Sequence, residues 1–203
     1  MGIQALNVWR SLVASMGYVL VLLAVYVIHV RWFAVDVVFY SAIADALIAA
    51  GLMALPLYAL RAFATLSPLE KGQLVLIWLL GGYAFAISVP TVLDRSLSFY
   101  ILEKLDQRGG GIREDAMPRV FIDEYLPEHR LVDVRLTEQL ESGTIEIRDG
   151  CVRLTARGER LARMSRWFRL NLLPKRRLLA GEYTDALTDP FRASVEAADY
   201  RCR

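Results

Sequence analysis

TIEIRDGCVRLTARG, residues 144–158, is the stretch that decides how the carboxyl half of this chain folds. Apolar and polar residues alternate before and after the turn dipeptide Asp149-Gly150, and this pattern predicts a β-hairpin. Thr155 at the end of the second strand predicts the start of a basic helix. Two strands alone are marginal in water, so we expect the hairpin to pack on the helical sequence around it.

Helical sequence flanks the hairpin on both sides. Ser96 is placed to cap a first helix, and the glycines 109–111 are placed to end it. Apolar residues with helical spacing predict helices over residues 96–108, 113–126 and 128–141 before the hairpin and 156–172 after it.

Three helices, a two-stranded wing and a closing helix resemble the winged variant of the helix-turn-helix architecture. Leu140 and Gly143 before the first strand, and Leu154-Thr155-x-x-Gly158 after the second, are similar to the wing of many small bacterial winged-helix domains. The resemblance covers about residues 96–172. It implies a fold and not an activity, because this fold serves both DNA readers and protein-interaction modules.

The amino-terminal half differs sharply in composition from the rest of the chain. Residues 1–93 carry only four of the 24 Lys and Arg and three of the 22 Asp and Glu. We therefore expect three parts: a membrane domain over residues 1–94, a winged-helix-like domain over 95–174 and an extended tail over 175–203, with one short helix around Phe191 to Ala198. The expected fold class is an all-α membrane region followed by a small α+β domain.

Three apolar runs in this half are long enough to cross a bilayer. Eighteen uncharged residues follow Arg10, twenty-two follow Lys71, and the twenty-four between Asp36 and Arg61 are interrupted only by Asp45. A helix needs roughly 20 residues to span the hydrocarbon core. The runs predict transmembrane helices at about residues 11–30, 37–60 and 72–93, and their lengths disfavour three buried helices of a soluble domain.

Asp45 is the ionisable residue that the sequence places deepest in an apolar run. Inserting it costs roughly 2.5–3.5 kcal/mol, so something must compensate. Ser41 and Ala49 lie one helical turn away on the same face, and small residues flank them. We expect this face to pack against protein or a partner, with Asp45 protonated and hydrogen-bonded. Proton or ion handling is the alternative.

The third helix and the wing tip form the candidate interaction surface of the carboxyl domain. Residues 128–141 have a net charge of −2 with His129 neutral, whereas phosphate contacts need positive charge. Protein contact is therefore favoured over DNA binding, which stays the alternative. The candidate residues are Arg130, Asp133, Arg135, Arg148 and Asp149.

Positive charge concentrates after the hairpin, where nine basic residues stand against Glu159 between residues 153 and 177. Trp, Phe, Met and Leu interleave with them, and this combination indicates a helix that lies on a membrane surface. A solvated helix with one core face and a phosphate-binding helix are the alternatives. The residues assigned to the membrane surface are Arg157, Arg160, Arg163, Arg166, Arg169, Lys175, Arg176 and Arg177.

The two cysteines predict no special chemistry. Cys151 and Cys202 are too few for a disulfide framework and lack metal-binding spacing, so we expect free, inert thiols in a reducing compartment. Recognised catalytic and nucleotide-binding motifs are absent from the sequence, which predicts no enzyme, no cofactor and no metal site.

These features predict a multi-pass protein of a bacterial-type inner membrane, with the amino terminus outside and the carboxyl domain in the cytoplasm. We expect a non-catalytic accessory or regulatory subunit of a membrane assembly, for which envelope or lipid-linked glycan synthesis is a suitable setting. Its partners would be lipids and a membrane protein or a second copy. The alternatives are a membrane-tethered transcription regulator and an ion or proton translocator that uses Asp45.

Overall fold

The computed structural model describes residues 2–192 and Cys202. It begins with three long helices: α1 (Ile3–Trp32), α2 (Val38–Ala59) and α3 (Pro68–Ser88), the last followed at once by α4 (Pro90–Arg95). Among the described residues, the segments Gln4–Trp32, Val38–Ala59 and Pro68–Arg95 are long and apolar enough to cross a membrane. The prediction of three membrane-spanning helices is thus confirmed by length and composition.

The first helix begins earlier than its apolar run predicts. Hydrogen bonds from the amino-terminal turns of α1 to the loop before α3 explain this extension: Arg10 donates to the Thr65 hydroxyl, and that hydroxyl donates to Asn7 Oδ1. Ser67 then caps α3 in a capping box with Glu70. Polar residues that precede the hydrophobic run therefore stabilise the helical turns that α1 adds in front of it.

Small residues allow the three helices to approach closely. Ala42, Ala46 and Ala49 of α2 are buried, and Tyr18 of α1 stacks on Trp78 of α3 with ring centroids 5.4 Å apart. A Cβ atom on Gly82 would overlap the hydroxyl of Tyr18 and come within 2.6 Å of Ala46 Cβ. Close helix contact at that point therefore requires glycine.

The segment after the spans contains one regular and several short helices. Ser96 caps α5 (Leu97–Gln107), as predicted, and positive φ angles at the glycines that follow end it. An irregular helical segment comes next: a 3-10 turn (Glu114–Ala116), α6 (Met117–Arg119), a π-helix (Val120–Tyr125) and α7 (Leu126–Glu128).

This irregular segment replaces the single helix predicted over residues 113–126. The Leu126 N–H donates to the carbonyl of Phe121, five residues back, so the hydrogen-bond pattern widens just before Pro127. Proline has no N–H to donate in an α-helical pattern, which accounts for the change of pattern directly before Pro127.

The hairpin forms as predicted. Helix α8 (Leu131–Glu141) precedes β1 (Ile145–Arg148) and β2 (Cys151–Leu154), which pair antiparallel, and α9 (Ala156–Asn171) follows. Asp149 and Gly150 both have positive φ, as a two-residue hairpin turn requires. The Thr155 hydroxyl caps α9 by accepting from Gly158 N–H, and a Cβ on Gly158 would overlap the carbonyl of Thr144.

The chain divides into two compact units, residues 1–127 and 128–203. The first contains α5 besides the three long helices, and the second contains α8, the hairpin and α9. None of the residues of α8 is buried, and Val132 is 61% exposed, whereas a winged helix would cover one face of this helix. The winged-helix assignment and the boundary after residue 94 therefore stay predictions.

The tail is more structured than its sequence indicates. Strands β3 (Arg177–Leu179) and β4 (Glu182–Thr184) form a second antiparallel hairpin, so the prediction of an extended tail was wrong there. Their turn has positive φ at Ala180 and Gly181. Most of the short helix predicted around residues 191–198 lies outside the described residues.

A disulfide joins Cys151 to Cys202, with Cα atoms 5.9 Å apart. The prediction of two free thiols was therefore wrong for this structure. The two cysteines are separated by 51 residues, and their pairing depends on the return of the tail to the hairpin. Spacing rules detect local cysteine motifs and cannot detect such a return.

Candidate functional site

The candidate site is centred on Asp45, which α2 carries into the interface between the long helices. Its side chain is only 1% exposed. Ala49, one turn later on the predicted face, is fully buried, and Ser41, one turn earlier, is half-buried. Small neighbours thus let α2 approach α1 closely enough to bury a carboxyl group.

His29 of α1 is the direct partner of Asp45. Its Nδ1 atom lies 2.6 Å from Asp45 Oδ1, and its side chain is 25% exposed. The two helices run antiparallel around a connection of only five residues, 33–37. His29 lies near the end of α1 and Asp45 lies two turns into α2, so the short connection brings the two side chains together.

The sequence pattern did not predict this pairing: His29 directly follows the eighteen uncharged residues of the first run, and Asp45 was expected to hydrogen-bond to protein without a named partner. A usable signal was present. Two ionisable residues within about two helical turns of a short connection between two helices are candidates to meet, since the helices return alongside each other.

The short contact holds one proton between an imidazole nitrogen and a carboxyl oxygen. Either the His29 Nδ1–H donates to the carboxylate, or a protonated Asp45 donates to Nδ1. Transfer of that one proton along the hydrogen bond converts an imidazolium beside a carboxylate into a neutral imidazole beside a carboxylic acid.

The second carboxyl oxygen of Asp45 is unusual. Oδ2 is buried and has no hydrogen-bond partner within the described part of the chain. Most buried polar atoms have a partner, and leaving one unsatisfied costs about 1–3 kcal/mol. An external hydrogen-bond donor at this atom would remove that cost.

An open cavity provides access to the pair. It has a volume of about 290 Å³ and is lined by Val25, Ile28, His29, Phe33, Asp45 and Ile48 of the first two helices and their connection. Its wall is almost entirely apolar. The rings of Phe33 and His29 meet edge to face there, with their centroids 5.9 Å apart. The cavity can hold one polar side chain or small polar group with an apolar body around it.

A second polar cluster lies outside the spans and is structural. Glu124 accepts from Lys104 of α5 and from Arg108 directly after this helix, each at 2.9 Å. The hydrogen bond from Lys104 is the largest cause that lowers the pKa of Glu124 below its ordinary value of 4.5, and the hydrogen bond from Arg108 is the next. Tyr125 beside it packs against Tyr100, with ring centroids 4.6 Å apart and the two rings tilted by 56°. The cluster fastens the irregular segment to α5.

The arginines assigned to the winged-helix surface have acidic partners within the chain. Arg130 pairs with Asp133 at 2.8 Å, and Arg135 pairs with Glu138 at the same distance. At the hairpin, Arg148 contacts a carboxyl oxygen of Glu146 at 2.7 Å. Asp149 is exposed at the turn. This surface therefore presents mixed charges, and the structure leaves its role as a contact surface a prediction.

The basic tract lies mostly on exposed positions of α9 and the start of the tail. Of its eight residues, only Arg169 and Arg177 are half-buried. Arg166 lies 3.8 Å from Asp189, and Arg169 is placed over the Phe191 ring at 5.6 Å. The tract is thus available to an anionic surface along most of its length.

Over the described residues, no group of three or more His, Cys, Asp or Glu side chains is placed to hold a metal ion. Comparisons of the chain with protein families, with characterised proteins and with solved structures give no match. The His29–Asp45 pair and its cavity are therefore the features on which a functional proposal can rest.

Proposed function

We propose that this protein is a non-catalytic accessory or regulatory subunit of a membrane assembly, which docks a partner helix at the His29–Asp45 cavity. The observation that carries the proposal is the buried Oδ2 atom of Asp45, which has no partner among the described residues and belongs to a side chain that lines an open, apolar cavity. A buried acceptor without a donor is costly, and a second molecule that supplies the donor gains from the contact.

The chemistry of the cavity suits a transmembrane segment that carries a hydroxyl, amide or basic side chain. A polar donor inside the hydrocarbon core needs an acceptor as much as Asp45 needs a donor, and interhelical hydrogen bonds of this kind hold membrane helices together. A basic side chain could also pair with the carboxyl group, as charged groups within membrane spans commonly do.

The carboxyl unit is proposed to bind a second partner beside the membrane. The mixed charges of Arg130, Asp133 and Arg135 suit contact with another mixed-charge protein surface better than contact with phosphates. We place this winged-helix-like unit in the cytoplasm of a bacterial-type cell, with the spans in the inner membrane. Synthesis of the envelope or of lipid-linked glycans remains the proposed setting.

Purification of the full chain from its native membrane in mild detergent tests the proposal. We expect a stoichiometric membrane protein, or a second copy of this chain, to accompany the wild type and to be lost with Asp45→Leu. Asp36→Leu is the matched control, because Asp36 is exposed in the connection outside the cavity. Recovery of the wild type alone, or equal recovery of the partner with Asp45→Leu, would refute docking at this site.

Proton translocation is the second candidate, and the proton shared by His29 and Asp45 is what favours it. Conduction would need further polar groups across the membrane. Another buried, unpartnered polar atom in the described spans is the Tyr18 hydroxyl, eleven residues from His29 and therefore about 16 Å away along α1. Proton flux in liposomes that is abolished by Asp45→Asn would establish this function in place of docking.

A further inference from the structure

Helix α9 is almost unburied for a helix of its length. Gly158 is the one buried residue among its sixteen. A surface helix of a globular domain normally buries an apolar stripe against the core. The long apolar side chains of α9 are exposed instead, so the stripe is free for another surface.

These apolar side chains share one face. Leu161, Met164 and Phe168, with Leu172 at the end of the helix, follow each other at intervals of three and four residues, which is the spacing of one helical face. Their exposed fractions are 42%, 60%, 47% and 57%. Trp167 lies at the border of the face and is 57% exposed.

The arginines of α9 surround this face with positive charge. Arg163 and Arg166 lie on the opposite side, Arg160 and Arg169 flank the apolar stripe, and Arg157 lies on the stripe one turn before Leu161. The helix has five arginines and one acid, Glu159, so its net charge is +4. A polar face with this charge attracts an anionic surface.

We propose that α9 is an interfacial helix that lies on an anionic bilayer leaflet, with the face formed by Leu161, Met164 and Phe168 inserted at the boundary of headgroups and acyl chains. A bilayer satisfies both halves of the helix at once, because lipid tails cover the apolar face and anionic headgroups accept from the arginines.

Features of the chain itself point to a bilayer as the occupant. Three helices able to cross a membrane belong to the same chain, so a leaflet is always present where the protein resides. Trp167 at the border of the apolar face has the position that interfacial tryptophans prefer. A nucleic acid would contact the arginines and leave the apolar face in water. Binding of α9 in an acidic groove of another protein would not depend on the presence of lipid.

The test uses the full chain in vesicles with Trp9 and Trp32 replaced by Phe, so that Trp167 reports on α9. Trp78 is the other remaining tryptophan. It is buried against Tyr18 in the spans, and a parallel Trp167→Phe chain removes its signal by subtraction. The probe is quenching by lipids brominated near the headgroup, in phosphatidylcholine alone and in its mixture with phosphatidylglycerol.

We expect Trp167 emission to shift to the blue and to be quenched in the anionic vesicles, and both effects to weaken with salt because salt screens the arginines. Phe168→Asp should abolish the quenching, and so should the pair Arg163→Glu and Arg166→Glu. The matched control is Arg148→Glu with Arg153→Glu, which makes the same charge change on the hairpin and should leave the quenching intact.

Unquenched Trp167 in anionic vesicles would overturn the proposal, and so would equal quenching with Phe168→Asp. The altered residues are exposed, so their substitution should preserve the fold. The comparison of the two lipid mixtures on the reporter chain is decisive even without the Phe168, Arg163 and Arg166 variants. The outcome is also independent of docking at Asp45, because Trp167 reports on the lipid contact of α9 and not on the His29–Asp45 cavity.

Discussion

His29 and Asp45 form a 2.6 Å contact between the first two helices, although sixteen residues separate them in the chain. The contact satisfies one oxygen of a carboxyl group that is 1% exposed and leaves the other without a partner. The histidine therefore makes the buried acid tolerable, and the remaining oxygen is the acceptor that the proposed partner helix would use.

His29→Phe should destabilise the isolated protein by about 1–3 kcal/mol, because it leaves both oxygens of Asp45 buried without donors. Adding Asp45→Leu to His29→Phe should recover much of this loss, since both polar partners are then replaced by apolar groups. Thermal unfolding in detergent measures both effects. Asp36→Asn serves as the control, and additive losses in the double variant would contradict a direct interaction.

Gly82→Ala should destabilise the membrane region by about 1–3 kcal/mol, because the added Cβ overlaps the Tyr18 hydroxyl and approaches Ala46. Gly81→Ala is a matched control one residue away, where nothing lies within 4 Å of an added Cβ. Thermal unfolding of the two variants should separate them clearly. Equal stability would mean that α3 does not approach the other helices as closely as the structure shows.

Local features of this fold were predictable from the sequence. The dipeptide Asp149-Gly150 favours positive φ at both positions, so the hairpin turn follows from two adjacent residues. Ser96 and Thr155 similarly identify the starts of their helices, because a cap acts within three residues. The three spans followed from uncharged length alone.

Contacts between distant residues were not predictable in the same way. The depth of Asp45 was evident, but its partner depended on how α1 and α2 pack, and His29 was assigned to the edge of the span. Cys151 and Cys202 are paired by the path of the tail, which no local pattern encodes. The candidate site was therefore half anticipated: the acid and its small neighbours were found, and the histidine and the cavity were not.

Glu124 should give the stability of the first unit an acid dependence. Lys104 and Arg108 lower the pKa of this carboxyl group in the folded state, so its stabilising effect is fully present above the unfolded pKa. The effect is lost as the pH falls below 4.5 and passes through the lowered pKa that Glu124 has in the folded state. Glu124→Gln should flatten the dependence of unfolding on pH in that range, and an unchanged profile would show that other carboxyl groups dominate it.

A membrane-tethered DNA reader would depend on Arg130 and Arg135, which here pair with Asp133 and Glu138. We expect the full chain in detergent to give no sequence-selective gel shift. Any binding at low salt should come from α9, and it should be lost with Arg163→Glu and Arg166→Glu and persist with Arg130→Ala and Arg135→Ala. A selective shift that Arg130→Ala removes would instead support transcriptional regulation.

The Cys151–Cys202 disulfide makes the orientation of the carboxyl unit measurable. Thiols of cytoplasmic proteins are kept reduced, whereas disulfides persist on the oxidising side of the membrane. Because we propose a cytoplasmic carboxyl unit, we expect both cysteines to react with a maleimide when cells are alkylated and lysed in one step. The disulfide should then form in the purified protein on exposure to a disulfide oxidant, which takes up the two electrons.

The matched control is the Cys202→Ser chain, in which Cys151 has no partner and should react with the maleimide in either compartment. Labelling of this control without labelling of the wild type would show that the disulfide exists in the cell. That outcome would place the carboxyl unit on the oxidising side and the amino terminus in the cytoplasm. The charges of Arg10, Arg61 and Lys71 would favour such an orientation, because they would then all lie inside.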